Sequence, residues 1–276
     1  MWMFKPEPKL VAADQALSGR AEPILAPAPH AVLGTPITGP WKEGQRSILI
    51  ALGCFWGAEK MFWETEGVES TSVGYAGGTT PNPTYYEVCR GLTNHAEVVQ
   101  VVYDPQRISL RDLVVQALEA HDPTQGFRQG NDVGTQYRSA FYPRTEDERA
   151  EIQDIVDSYA NKLKEFGFGD TTTEVKLLSD TDSGEYYLAE DEHQQYLHKR
   201  TPILSSRRQT QTFLQNHHTN HLYKEYDLRG QITPCKDLPQ PYHLRMLQYL
   251  PHLPVPTSYA QALFLSDYSL SYSHIR

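Results

Sequence analysis

Cysteine is scarce in this chain: three residues of 276, at positions 54, 89 and 235. So few, so scattered, cannot build a disulfide framework, and a reducing compartment is expected. Long apolar runs are missing too. None approaches the roughly 20 residues that span a bilayer. Hydrophobic residues make up 39% of the chain, low for a fully packed protein, so part of it is expected to lie outside a core. Basic residues are the minority, 25 Lys and Arg against 34 Asp and Glu. The resulting net charge of −9 speaks against a nucleic-acid partner, whose phosphates need concentrated Lys and Arg. No apolar stretch follows Met1-Trp2-Met3-Phe4-Lys5-Pro6, and Glu7, Asp14 and Glu22 suit neither a secretory leader nor a transit peptide. The expected setting is the cytoplasm, with the mitochondrion as the alternative, and the expected state is a monomer away from membranes.

What is present falls into three stretches. Residues 1–45 hold Pro6, Pro8, Pro23, Pro27, Pro29, Pro36 and Pro40 with little apolar periodicity and read as a flexible arm. Residues 46–199 carry the signals of a folded domain. Ser47–Leu52, Val68–Tyr75, Glu97–Tyr103, Ser139–Tyr142 and Thr172–Leu178 read as strands. Gly57–Glu64 and a segment capped by Ser109 read as helices. Thr145 with Glu148 is a capping box opening a third helix, closed by Gly167. Tyr186–Tyr196 is read as a fourth. Strands alternating with helices predict an α/β sandwich, a mixed sheet covered by helices. Residues 200–276 lose this periodicity and are expected to be a poorly ordered tail. His217, His218 and His221 in that tail lack a second ligand pair, so no metal is expected.

The chemistry concentrates at Gly53-Cys54-Phe55-Trp56-Gly57. A cysteine between a buried strand and a helix faces backbone N–H groups at the positive end of the helix dipole. That setting favours the thiolate, the nucleophilic form, and two aromatic rings follow at once. Free cysteines are, however, most often inert packing residues. Glu97, between Ala96 and Val98, would lose solvation on a sheet and hold its proton, becoming an acid; a solvated strand-end Glu is the plain alternative. His95 offers a base for Cys54 or an ordinary loop histidine. Asp132 and Tyr137 sit in a turn-rich segment and are able to supply hydrogen bonds, or are plain turn chemistry; Tyr85, beside Tyr86, reads as a core or surface aromatic. A cysteine hydrolase or acyl transferase using Cys54 with His95 or His193 is a competing function, though no hydrolase signature accompanies it.

The ordered set of segments resembles the type A peptide methionine sulfoxide reductases. It runs Gly-Cys-Phe-Trp-Gly (53–57), Gly-Tyr-Ala-Gly-Gly (74–78), Pro-Asn-Pro-Thr-Tyr (81–85), His-Ala-Glu (95–97), His-Asp-Pro-Thr-Gln-Gly (121–126), Arg-Gln-Gly-Asn-Asp (128–132), Gly-Thr-Gln-Tyr-Arg-Ser (134–139) and Asp-Glu-His-Gln-Gln-Tyr-Leu (191–197). The resemblance implies a ferredoxin-like α/β core and reduction of methionine-S-sulfoxide, free or in oxidised proteins and peptides. Cys54 would attack the sulfoxide sulfur and become a sulfenic acid. Glu97 would protonate the oxygen, Tyr85, Tyr137 and Asp132 would hydrogen-bond or polarise the substrate, and Phe55 and Trp56 would hold its methyl group. No bound cofactor is implied, only an external thiol reductant, thioredoxin or a small thiol. Such chemistry asks for a lowered Cys54 pKa and a raised Glu97 pKa. Two departures stand out. Val133 lies where relatives often have His. The Gly-rich stretch with a recycling cysteine is absent after Lys199, which leaves Cys235, or Cys89, as the resolving thiol and makes a catalytically weak regulatory or binding variant the alternative function.

Overall fold

The structure, a computed structural model, describes residues 7–200. The tail beyond Arg200, with Cys235 and the histidines at 217, 218 and 221, lies outside the described residues. Six strands form one mixed sheet: β1 (Arg46–Leu52), β2 (Val68–Ala76), β3 (Ala96–Tyr103), β6 (Ser139–Tyr142), β7 (Glu174–Val175) and β8 (Tyr187–Leu188), in the order β7-β6-β1-β3-β2-β8. A separate hairpin pairs β4 (Arg128–Gln129) with β5 (Asp132–Val133). The central strands β6-β1-β3-β2 are mutually antiparallel, and only β6–β7 is parallel. With α1 (Phe55–Trp63) and α3 (Leu110–Ala120) they form two split βαβ units, the ferredoxin-like core.

The strands read as continuous apolar runs because both faces are covered. Ile48, Ile50, Leu52, Val99 and Val101 pack on one face against Phe62 of α1, Leu113 and Leu118 of α3, and Ile152 and Ile155 of α4 (Glu146–Glu165). Leu49, Ala51, Val98, Ala140 and Tyr142 form the second face, packed with Leu178 and Tyr186. Capping boxes open α3 at Ser109 and Asp112, α4 at Thr145 and Glu148, and also α2 (Tyr85–Cys89) at Thr84 and Glu87, a short helix to which no sequence expectation was attached.

Three expectations need correction. The proline-rich arm is packed over residues 7–45 rather than flexible. Asn94 accepts from Val11 N at 2.9 Å and donates to Val11 O at 2.8 Å. Leu17 N and Arg20 N donate to Leu92 O and Pro81 O, Ser70 Oγ donates to Pro36 O, and Ile37 and His30 are buried. Prolines keep this segment out of α-helix and sheet ladder, leaving one 3-10 turn at Ala13–Gln15, and backbone and side-chain groups of the domain bond to its backbone instead. The strand at Thr172–Leu178 shrinks to Glu174–Val175. Tyr186–Tyr196 is not a helix. Tyr187 and Leu188 pair with Tyr75 and Gly74, a turn follows, and only Tyr196–Arg200 is helical (α5). The Gln194 amide takes both Val73 N and Val73 O, at 3.0 and 2.8 Å, acting as one more rung beside β2. That contact joins residues 121 apart, beyond any local pattern.

The packed arm has a measurable consequence. The buried His30 ring holds Thr71 Oγ1 at 2.9 Å and accepts from Val32 N and Leu33 N. His30→Ala is expected to destabilise the protein by ~2 kcal/mol; urea denaturation with an unchanged midpoint would contradict the packing described.

Candidate active site

Cys54 is the N-cap of α1, half-buried at the end of β1. Gly53 before it has φ +103°, a left-handed conformation open to glycine. A Cβ there would also lie 2.8 Å from Gln129 Cγ. Gly53 thus lets the β4–β5 hairpin close over the thiol, and Gln129 pairs with Asp132 across it. Glu97 and Tyr75 face each other across β3 and β2, on the face that α1 covers. The Glu97 side chain is buried, and its Oε2 accepts from Phe55 N at 3.1 Å. Acid and thiol therefore meet at the same helix N-terminus. Glu97 Oε1 has no hydrogen-bond partner among the described residues.

Burial pushes the Glu97 carboxyl up to about 8; the Phe55 N–H opposes this and the Asp132 carboxylate adds to it. Cys54 departs from expectation. Burial first, then the Glu97 charge, push its thiol well above the ordinary range, against the lowering pull of Trp56 N–H and Gly57 N–H. The helix terminus does favour thiolate, but one of its free N–H groups is committed to Glu97. Two anions this close suppress each other's ionisation, so the pair is coupled.

Aromatic rings line the space around this pair. Phe55 is buried, stacked with Tyr85 at 6.3 Å and tilted against Tyr75 at 6.0 Å. Trp56 stacks on Tyr196 at 3.9 Å and on Tyr85 at 6.4 Å, and its Nε1 donates to His193 Nδ1 at 3.2 Å. Burial followed by the Glu97 charge raises the Tyr85 and Tyr137 hydroxyls far above their usual range, so both remain donors. Tyr137 also feels Asp132, Cys89 and Cys54, which places one field around all of them. Cys89 lies at the surface beside Tyr85, and partial burial of its sulfur, followed by the Glu97 charge, raises its pKa to about 11. His95 is not a base for Cys54. Its Nδ1 accepts from Gly78 N at 3.1 Å, its Nε2 donates to Thr80 O at 2.7 Å, and burial lowers it to about 4. His193 is likewise held neutral by burial, with Nδ1 engaged by Trp56. A groove of about 910 Å³ bordered by Trp41, Arg46, Arg144 and Tyr186 contains none of these groups.

A thiol, a proton-holding carboxyl and two phenols around an aromatic cup form a site for thiol attack assisted by an acid. The family model described as peptide methionine sulfoxide reductase matches residues 46–225. The chain belongs to this family. It is 63% identical over 199 residues to the peptide methionine sulfoxide reductase MsrA of Corynebacterium glutamicum, covering 72% of this chain and 90% of that protein. Among solved structures, methionine sulfoxide reductase A of Corynebacterium diphtheriae matches with TM-score 0.67 and 56% identity, over 72% of this chain and 96% of that one. Mxr1 of Saccharomyces cerevisiae in reduced form matches with TM-score 0.52 and 34% identity, over 57% and 86% respectively. The protein is thus an oxidoreductase that reduces methionine sulfoxide. Among the described residues no helix is long and apolar enough to cross a membrane, and no group of His, Cys, Asp or Glu is arranged to hold a metal ion.

Sequence reading passed over the residues that hold this reductase site in place. Glu190 accepts from Tyr75 Oη at 3.0 Å and from Tyr85 N at 2.8 Å, fixing the start of α2. Arg138, next to Tyr137, is buried and donates to Thr135 O, Asn94 O and Tyr142 Oη, with an ion pair to Glu174 at 3.1 Å. Arg138 lies inside the 134–139 segment and Glu190 directly precedes the 191–197 segment, but nothing in either stretch signals these long-range bonds.

The raised Glu97 pKa is a stability statement. The folded form holds its proton while the unfolded carboxyl ionises from 4.5 upward, so Glu97 weakens the fold progressively between pH 4.5 and about 8. Glu97→Gln removes this burden: its stability relative to wild type is expected to rise across that window and level off above it. Urea titrations at pH 4.5, 6 and 8 test this, and a difference independent of pH would contradict it.

Proposed function

We propose that this site reduces the S epimer of methionine sulfoxide, free or in oxidised proteins and peptides, with the methyl group against Phe55 and Trp56 and the oxygen toward Glu97. The observation that carries the reading is the unpartnered Oε1 of a buried Glu97 whose other oxygen is fastened to the helix turn that bears Cys54. A carboxyl so placed has one oxygen for orientation and one for the substrate. Tyr85 and Tyr137, held protonated, donate to the same oxygen, and Asp132 orders the polar side of the cup.

Cys54 sulfur bonds to the sulfoxide sulfur as the carboxyl proton moves to the oxygen. The hydroxyl then passes to Cys54 sulfur: the substrate S–O bond and the new S–S bond break, a Cys54 S–O bond forms, and a sulfenic acid and methionine result. The substrate sulfur gains two electrons and Cys54 loses two. Sulfoxide sulfur reacts poorly because oxide is a poor leaving group; protonation removes that barrier, and acid help of this kind contributes about 10²–10⁴-fold. Thiolate with neutral carboxyl, and thiol with carboxylate, hold the same single proton. The reactive pair therefore appears once the first proton has left, a step that Glu97 places at about 8. The methyl subsite adds selectivity of about 1–3 kcal/mol.

The sulfenic acid condenses with a thiol to a disulfide. An external thiol, thioredoxin or a small thiol, closes the cycle, directly or through Cys89 or Cys235. Cys89 is the weaker internal candidate, since its raised pKa leaves little thiolate at neutral pH.

Single-turnover release of methionine tests the reading. The burst rate of wild type is expected to climb from pH 6 and level above about 8. Glu97→Gln is expected to slow the burst about 10²–10⁴-fold and erase that inflection; an unchanged burst removes Glu97 from the mechanism. Turnover with dithiothreitol but none with thioredoxin, in wild type and Cys235→Ser alike, would rule out Cys235 as a relay.

A further inference from the structure

Glu59 is the other fully buried carboxylic acid among the described residues, and the chemistry above does not use it. It lies one helical turn beyond Phe55 and Trp56 in α1, on the same face. Its oxygens accept three hydrogen bonds: Gln195 N to Oε2 at 2.8 Å, and Gln195 Nε2 and Thr71 Oγ1 to Oε1 at 2.7 and 3.1 Å. The direction of this network is fixed from its far end. His30 Nδ1 accepts from Val32 N and Leu33 N, so the ring proton sits on Nε2 and is donated to Thr71 Oγ1. Thr71 then donates to Glu59. All three partners are donors, a set that fits the ionised carboxylate although burial raises the Glu59 pKa to about 7.

Gln195 is the residue so held, and its backbone needs holding. Its φ is +48°, left-handed for a side chain that rarely adopts it. Its amide oxygen also accepts from Ala31 N at 3.0 Å, which ties in the proline-rich segment. The two residues that flank the Gln194–Gln195 pair in sequence both touch Trp56. His193 takes the indole N–H, and Tyr196 covers the ring at 3.9 Å with an interplanar angle of 11°. The turn that Glu59 grips is therefore the backing of the substrate pocket.

We propose that Glu59 is a positioning residue for sulfoxide reduction: its carboxylate locks the His193–Tyr196 turn onto α1, so that Trp56 presents a fixed wall to the substrate methyl group. This rests on the pocket assigned above. A slack wall weakens substrate binding while the Cys54–Glu97 pair, fastened separately through Phe55 N, keeps its reactivity.

Single-turnover kinetics over a range of free methionine sulfoxide test this with wild type, Glu59→Gln, Gln195→Ala and the double variant. Each single substitution is expected to raise the half-saturating concentration about tenfold and to leave the maximal burst rate within about threefold. The double variant is expected to be no worse than the worse single, because both break one contact. The reciprocal exchange, Glu59→Gln with Gln195→Glu, is expected to recover part of the binding. An unchanged half-saturation, effects that multiply, or loss confined to the burst rate would overturn the proposal. If Glu59→Gln does not fold, Gln195→Ala carries the same test alone. A wild type without any burst overturns the site reading instead, and wild-type bursts with unaltered variants overturn only the role of Glu59.

Discussion

One hydrogen bond, Phe55 N to Glu97 Oε2 at 3.1 Å, ties the candidate acid to the helix turn that bears the candidate nucleophile. It crosses from helix to sheet and joins residues 42 apart in sequence. Because Phe55 follows Cys54 directly, whatever fixes that N–H also fixes the thiol. Because Glu97 lies on a strand paired along both edges, the carboxyl has little freedom to leave. The bond satisfies one oxygen, the other has no partner among the described residues, and burial favours the neutral carboxyl. A buried carboxylate without further donors is costly; here that cost is what keeps a proton ready near neutral pH.

The surrounding structure is arranged to protect this pair. Gly53 brings the β4–β5 hairpin close, Glu190 anchors the start of α2 with Tyr85, and Arg138 braces the turn that carries Tyr137. Outside them, a chain of directed hydrogen bonds runs from His30 through Thr71 and Glu59 to Gln195. Strand, helix, turn and N-terminal segment are thereby coupled in one network. Such networks are stable only when every member is satisfied. In the pair itself, by contrast, Glu97 Oε1 has no partner among the described residues, and the proposed chemistry uses that oxygen.

Much of the fold and the candidate site was legible in the sequence because the candidate residues sit in short, ordered motifs. Gly-Cys-Phe-Trp-Gly gave the strand-to-helix junction, and apolar runs with capping boxes gave the core strands and three helices. Long-range side-chain contacts were not legible. The Gln194 amide, pairing with Val73 from 121 residues away, turns an apparent helix into a strand and a turn. Asn94, Ser70 and His30 convert a proline-rich arm into a packed layer. The direction of the Cys54 shift was misread for a related reason. The helix N–H groups do pull the thiol down, but burial and the nearby carboxyl outweigh them, and neither is visible until β3 is folded against α1.

The central claim is that Glu97 holds its proton in the free enzyme at neutral pH. Infrared difference spectroscopy of the folded protein, with ¹³C-labelled glutamate and Glu97→Gln as the blank, reads that proton directly. The account predicts a protonated-carboxyl band at pH 7 that is missing in Glu97→Gln and fades with a midpoint of about 8. A Glu97 band already lost near its ordinary 4.5 would contradict it.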